Sequence, residues 1–437
     1  MPGILLAIAY TALFLYGMRR IPFFSRVPGL PMRWVAVLFV AKILAGTVLW
    51  AVYTYIYTDR LTADVFKYFD DSAVMFNALF DRPLDYLKMV TSIGNDTPYF
   101  TEYYYAVMNN WIRQFENNIY NDSHTMIRLN AMLRLFSFGH YHVHTVFACF
   151  LSTTGLVGLF RTFAPLLRGL ERGLMAGVFL WPSMLFWASG VLKESLLVFG
   201  LGLFMIGAIG LPMERHRWRA VLATVIGLSI MLVVKFYVLF CLLPGLIALL
   251  WHRRNGGNAI LKSAMVHALA VLCVVGSGLI LPGYDVLQLL ALKQHDFIGM
   301  ATSVHSGSFV QLPALEPDLW SFVRNVPHAL YMTLLSPFAA LSNGPLGWAS
   351  AAENVLLLLA PIVALRYRRP WSEVDKPMLL FCLSFILLLA VLIGLTVPVI
   401  GALVRYRIPL LPFISVATLL LIDARRLPRW LPFTSRT

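Results

Sequence analysis

With 437 residues, 59% of them hydrophobic, only 13% charged and a mean hydropathy of +0.74, the chain has too little charge to cover a soluble protein of its size. Its formal charge of +14 lies mostly in short segments between apolar runs, the pattern that orients a membrane protein and not that of a nucleic-acid binder. Cys149, Cys241, Cys273 and Cys382 all fall inside apolar runs and share no motif, which argues against a disulfide framework or a zinc cluster.

In chain order, runs long enough to cross a bilayer as helices are expected over about 2–18, 34–57, 142–160, 174–190, 193–211, 219–234, 236–251, 260–281, 350–365, 377–398 and 406–422. The fold class is therefore an all-α polytopic membrane protein of about eleven transmembrane helices, a single membrane domain. The first run, Gly3 to Tyr16, lacks the basic start and small-residue cleavage site of a signal peptide and reads as a helix. Pro182, Lys193, Glu194 and Lys235 interrupt the runs around them, so 174–211 and 219–251 could each be one broken unit. The loops alternate in charge. One set holds Arg19, Arg20, Arg26 and Arg33, then Arg161, Arg168 and Arg172, then Arg215, Arg217 and Arg219. It continues with Arg253, Arg254 and Lys262, then Arg366, Arg368, Arg369 and Lys376, then Arg425, Arg426, Arg429 and Arg436. The set contains 21 of the 35 basic residues against five acids, which puts it in the cytoplasm, the N-terminus outside and the C-terminus inside.

Two long segments, about 58–141 and 282–349, fall on the other side. The first carries ten acids, among them Asp64, Asp70, Asp71, Glu116 and Asp122, and helical periodicity over 63–80 and 125–136, so it is expected to be folded. On a helix Asp64 and Tyr68 share a face, as do Lys67 and Asp71. Asp64 could be a helix cap and Lys67 with Asp71 a surface pair; the functional alternatives are a base that takes a proton from a hydroxyl, or a carboxylate pair holding a cation. At membrane depth or its outer edge stand Lys42, Lys193 with Glu194, Lys235, and Arg405 with Arg407. Each could snorkel to headgroups, but outer cations from separate helices could also form a phosphate pocket. His124, Arg128 and Arg134 read as interfacial anchors, His140, His142 and His144 lack convincing ligand spacing, and His295, Asp296, His305, Arg324 and His328 form no motif. The Walker A loop, Gly-x-Ser-x-Gly and His-Glu-x-x-His are absent, which disfavours an ATP-driven pump and the hydrolases of those signatures.

Three short elements occur in order: Asp64 with Tyr68; Pro182, Ser183, Phe186, Trp187, Ser189, Gly190, Lys193 and Glu194; and Arg405, Tyr406, Arg407, Pro409 and Pro412. In them the chain resembles the GT-C superfamily of polytopic glycosyltransferases, particularly the bacterial branch related to protein mannosyltransferases and aminoarabinose transferases. The resemblance implies a GT-C-like arrangement with helical external loops, a polyprenyl-phosphate-linked sugar donor, and a glycan, lipid or protein acceptor on the periplasmic face of a bacterial inner membrane. Asp64 matches the family's loop aspartate, with Asp70 and Asp71 as fallbacks for catalysis. Tyr68, Lys193, Glu194, Lys235, Arg405, Arg407 and Arg128 are the substrate-binding candidates. The family also allows a divalent cation, Mg or Mn, which would fall to Asp64 and Asp71. Where the family commonly has Asp-Glu, this chain has Asp64 and Val65, and an additional span precedes the loop. That extra span also occurs in O-antigen-type polymerases. A transporter or flippase for a lipid-linked solute, and a non-catalytic scaffold, are the readings from other classes.

Overall fold

The computed structural model describes residues 2–112, 121–210, 217–280, 283–337 and 344–428, so Glu116, Arg215, Arg429 and Arg436 lie outside the described residues. The regular structure of the described residues is helical, with two isolated bridges, Phe309 to Val399 and Arg368 to Ile422, and no strand among them. The helices are α1 (Pro2–Arg20), α2 (Met32–Tyr55), α3 (Asp64–Asp81), α4 (Pro83–Thr91), α5 (Ser123–Ser137), α6 (Tyr141–Phe163), α7 (Glu171–Phe179), α8 (Pro182–Trp187) and α9 (Lys193–Gly210). They continue as α10 (Arg217–Asn255), α11 (Ala259–Val275), α12 (Val286–Ser303), α13 (Leu319–Leu335), α14 (Gly344–Arg366), α15 (Lys376–Thr396), α16 (Ile400–Tyr406) and α17 (Leu410–Leu421). Local chemistry sets several starts. The side chains of Asn258, Asp285, Asp318 and Asp375 each accept a backbone N–H from the first turn of α11, α12, α13 and α15.

Seven described helices are long and apolar enough to cross a membrane, eight if α16 and α17, bent by 57°, make one span. This is a helical integral membrane protein. The smaller count has identifiable causes. The expected run 174–190 is divided between α7 and α8 at Leu180 and Trp181, next to Pro182. The runs 219–234 and 236–251 are helical on either side of a kink at Lys235 and are counted together as α10, and α11 stops at 17 residues.

The chain divides into two compact units, residues 1–161 with 184–235, and residues 162–183 with 236–437. In the first, glycines bring α6 and α9 into backbone contact. A Cβ on Gly155 would meet Val198 and Phe199, and one on Gly202 would meet the backbone of Gly155. Phe14 of α1 stacks on Phe150 of α6 at 4.4 Å. In the second, Phe413 of α17 packs edge-on against Phe163, Phe381 and Phe385. Here α13, from a stretch expected to be an external loop, packs along the span α15: Thr333 donates to the Ala390 carbonyl at 2.6 Å, and Gly394 leaves room for the backbone at Ala329.

Candidate functional site

The break between α8 and α9 shows how irregular backbone is accommodated in this fold. Residues 188–192 leave helical geometry and are buried, and buried carbonyls need donors. Side chains from α2 and α6 supply them: Lys42 donates to the Met184 carbonyl at 3.4 Å, Cys149 to Ser189 at 3.1 Å and Ser152 to Ala188 at 2.7 Å. Ser195 donates to the Gly190 carbonyl at 2.8 Å. Lys42 is thus a support for the break and not a lipid-facing anchor.

That support fixes the start of α9, where Lys193 and Glu194 are both buried. The Lys193 ammonium donates to Asp122 Oδ1 at 2.8 Å and to Ser123 Oγ at 3.1 Å. Asp122 precedes α5 but makes no capping bond of its own, its carboxylate being directed to Lys193. The same ammonium sits 5.2 Å from the centroid of the Tyr68 ring, itself buried. Tyr68 lies one turn after Asp64, the first residue of α3, so Asp64 stands on the helical face that meets Lys193. Ala63, not Asp64, occupies the cap position, and Asp64 is half-buried. Its charge at the first turn suits the positive end of the helix dipole.

Lys235 closes the cluster from α10. Its backbone, at φ −154° and ψ 77°, breaks the helical ladder, and Thr125 Oγ1 donates to the carbonyl of Val233 at 3.1 Å. The Lys235 ammonium donates to Glu194 Oε1 at 2.8 Å with both side chains almost without solvent contact. The first long segment therefore reaches Lys193 and the Lys235 break directly, through Asp122, Ser123 and Thr125.

The other expected residues have separate fates. Asp70 accepts both arms of the Arg60 guanidinium at 2.7 and 2.6 Å on the surface. Asp71 is buried and accepts the backbone N–H groups of Asn109 and Asn110, one on each oxygen, both at 2.9 Å. Burial pushes its carboxyl up, and those two donors pull it part of the way back. Arg128 donates to the Met89 carbonyl and lies over Trp111, which also stacks on His124 at 3.7 Å. Arg134 donates to Ser72 and the Phe69 carbonyl, and burial pulls its guanidinium down to about 10. Among the described residues no group of three or more His, Cys, Asp or Glu side chains is placed to hold a metal ion. Asp64 and Asp71 are seven residues apart on one helix, about 10 Å of rise, and both Asp71 oxygens are engaged, so this pair does not fit a shared cation.

The second unit has a polar centre in which Arg407, a residue the sequence picks out, meets Glu353, which it does not. Arg407 is buried and donates to Glu353 Oε1 at 2.9 Å, and to the carbonyls of Thr333 and Ser336. Glu353 also accepts the Ser183 N–H and hydroxyl, each at 2.7 Å. The signal was available: Glu353 is the one acid in the apolar run 350–365. Arg405 belongs to this second unit and is half-buried, lying 6.0 Å from the Tyr406 ring centroid. No family model, curated protein or solved structure matches the chain.

Proposed function

We infer that this chain is a membrane glycosyltransferase of GT-C type, moving a sugar from a polyprenyl-phosphate-linked donor to an acceptor on the outer face. The observation that carries the reading is the contact of Lys193 with Tyr68, one turn after Asp64, beside the adjoining Glu194 and Lys235 pair in the first unit. Each lysine has a carboxylate partner, which offsets part of the cost of holding an ammonium ion away from water. A donor phosphate replacing such a carboxylate would meet a cation already in place. In the step, the acceptor oxygen bonds to the anomeric carbon as the bond from that carbon to the phosphate oxygen breaks. The electron pair stays on the phosphate, beside Lys193 and Lys235, and the acceptor proton passes to Asp64. Cation stabilisation of the leaving oxygen is worth about 3–4 kcal/mol per positioned donor in sites of this kind.

Eleven crossings with the N-terminus outside complete the reading, in a bacterial inner membrane. Two contacts support the charge alternation. Arg161 donates to the carbonyls of Phe23 and Arg26, so two basic loops share one end of the first unit. Arg369 and Asp423 donate backbone N–H groups to Leu421 and Tyr367, joining two further basic loops in the second.

The test is turnover of polyprenyl-phosphate and polyprenyl-pyrophosphate hexoses by protein purified into lipid nanodiscs. Asp64→Asn is expected to slow transfer by about 10²–10⁴-fold with donor binding kept. Normal turnover by that variant removes the base role, and preference for the pyrophosphate donor marks a polymerase. The breaks at Lys235, at residues 188–192 and between α16 and α17 favour a second reading, a transporter of lipid-linked or anionic solutes. Saturable donor binding without turnover by the wild-type chain selects it.

A further inference from the structure

Residues 82–105 carry a cluster that sugar transfer, as derived above, does not use. Tyr103, which ends a short helix Pro98–Tyr103, keeps 58% of its surface exposed. Its ring lies 5.5 Å from that of Tyr99, nearly parallel at 26°. The Arg82 guanidinium carbon is 4.9 Å from the Tyr103 centroid and 5.9 Å from the Tyr99 centroid. The Tyr104 ring is 5.7 Å from Tyr103 and 6.1 Å from Tyr99. Tyr99, Arg82 and Tyr104 thus brace the Tyr103 ring, while more than half of the residue's surface stays open.

Hydrogen bonds hold the ring's supports in place. The Tyr99 hydroxyl donates to Asp85 Oδ2 at 2.8 Å and accepts from Arg82, and the Tyr104 hydroxyl donates to the same Asp85 oxygen at 3.0 Å. The hydrogen bond to the Tyr99 hydroxyl raises the Arg82 guanidinium above its ordinary value, so it remains a cation. An exposed aromatic ring with fixed supports, beside a guanidinium donor and a carboxylate, has the chemistry of a saccharide contact. The face of the ring is the negative end of its quadrupole and attracts the weakly positive C–H face of a pyranose, while hydroxyls bond to the polar rim. Arg82 and Asp85, the charges bonded to Tyr99, cancel, which suits a neutral sugar; an anionic lipid headgroup would call for net positive charge.

We propose that Tyr103 is a stacking platform for a neutral pyranose unit of the acceptor glycan. The proposal rests on the transferase reading for the side of the membrane on which this segment lies, and for the acceptor being a glycan. Binding can be measured without turnover, so the two fail separately. Wild type and Tyr103→Trp, labelled with fluorotryptophan in nanodiscs, would be titrated with neutral hexasaccharides of glucose, of mannose and of galactose. The extra fluorine resonance of Tyr103→Trp is expected to shift saturably with at least one of them. Saturation-transfer signals to that hexasaccharide should weaken about tenfold in apparent affinity in Tyr103→Ala, at unchanged melting temperature. A resonance indifferent to every hexasaccharide overturns the proposal. So does broadening by spin-labelled lipid without a saccharide response, which would make Tyr103 a headgroup anchor, and so does full affinity in a folded Tyr103→Ala.

Discussion

Glu353 has 0% exposure and Arg407 1%, and their ion pair is built from residues 54 positions apart. Both Glu353 oxygens are occupied, by Ser183 and Arg407, whereas Arg407 Nε has no partner among the described residues. Such a pair costs much to desolvate but costs more to break, because the surviving member is left as a buried ion. Glu353→Gln or Arg407→Met alone is therefore expected to lower stability by about 3–5 kcal/mol in detergent unfolding. The double variant should lose much less than the sum, and strict additivity would show that the pair is not coupled. Asp71 behaves differently because it meets backbone donors and not a cation. Its carboxyl is raised, so the folded chain keeps the proton at a higher pH than the unfolded chain. The corresponding contribution to stability is present in acid and is lost as pH rises from about 4 through the raised value. Asp71→Asn should remove that slope and also leave one of the Asn109 and Asn110 N–H groups without an acceptor, at a cost of about 1–3 kcal/mol. Unfolding followed across acid pH measures both effects, and an unchanged slope would place the titration elsewhere.

At the scale of helices, the contact between α6 and α9 sets how closely the start of α9, and so Lys193, can be held. Gly202→Ala puts a Cβ onto the backbone of Gly155, which a rotamer change cannot relieve. Overpacking of this kind typically costs about 1–3 kcal/mol. Thermal unfolding should show that loss, while an alanine at Gly17, where a Cβ meets nothing, should be neutral. Apolar length and periodicity made these helices legible: the expected 63–80 and 125–136 are close to α3 and α5, and the long apolar runs became α1, α2, α6, α9, α14 and α15. Breaks were harder to read. Pro182 and Lys235 mark them in the sequence, but whether a break ends a helix depends on donors such as Lys42, Ser152 and Thr125 arriving from far along the chain. The α13 helix escaped notice because Arg324, Pro327 and His328 dilute its apolar pattern. At the site, Lys193, Glu194, Lys235 and Tyr68 were legible as charges and an aromatic beside membrane runs. Asp122, the partner of Lys193, was one of ten acids in its segment, with nothing local to set it apart.

For the molecule as a whole, α10 decides the topology. Its residues run as helix on either side of Lys235, 18 before it and 20 after, about 27 and 30 Å, each near the hydrocarbon thickness of a bilayer. It opens with Arg217 and Arg219 and closes with His252, Arg253 and Arg254, so both ends carry basic residues, which the proposed orientation places in the cytoplasm. In the proposed topology the two stretches are crossings that meet at Lys235, where Thr125 of α5 and Glu194 attend the break. In a background with Cys149, Cys241, Cys273 and Cys382 replaced, Phe236→Cys should react with an impermeant maleimide added outside intact cells. Arg217→Cys and Arg254→Cys should react only after permeabilisation. If Phe236→Cys is protected and the two ends report from opposite sides, α10 is a single steeply tilted span and every later loop changes side. The segment bearing Arg405 and Arg407 would then face the cytoplasm while Asp64 stayed outside, and the charge alternation would fail as a guide to orientation. Labelling at one helix thus tests the topology on which outer-face chemistry depends.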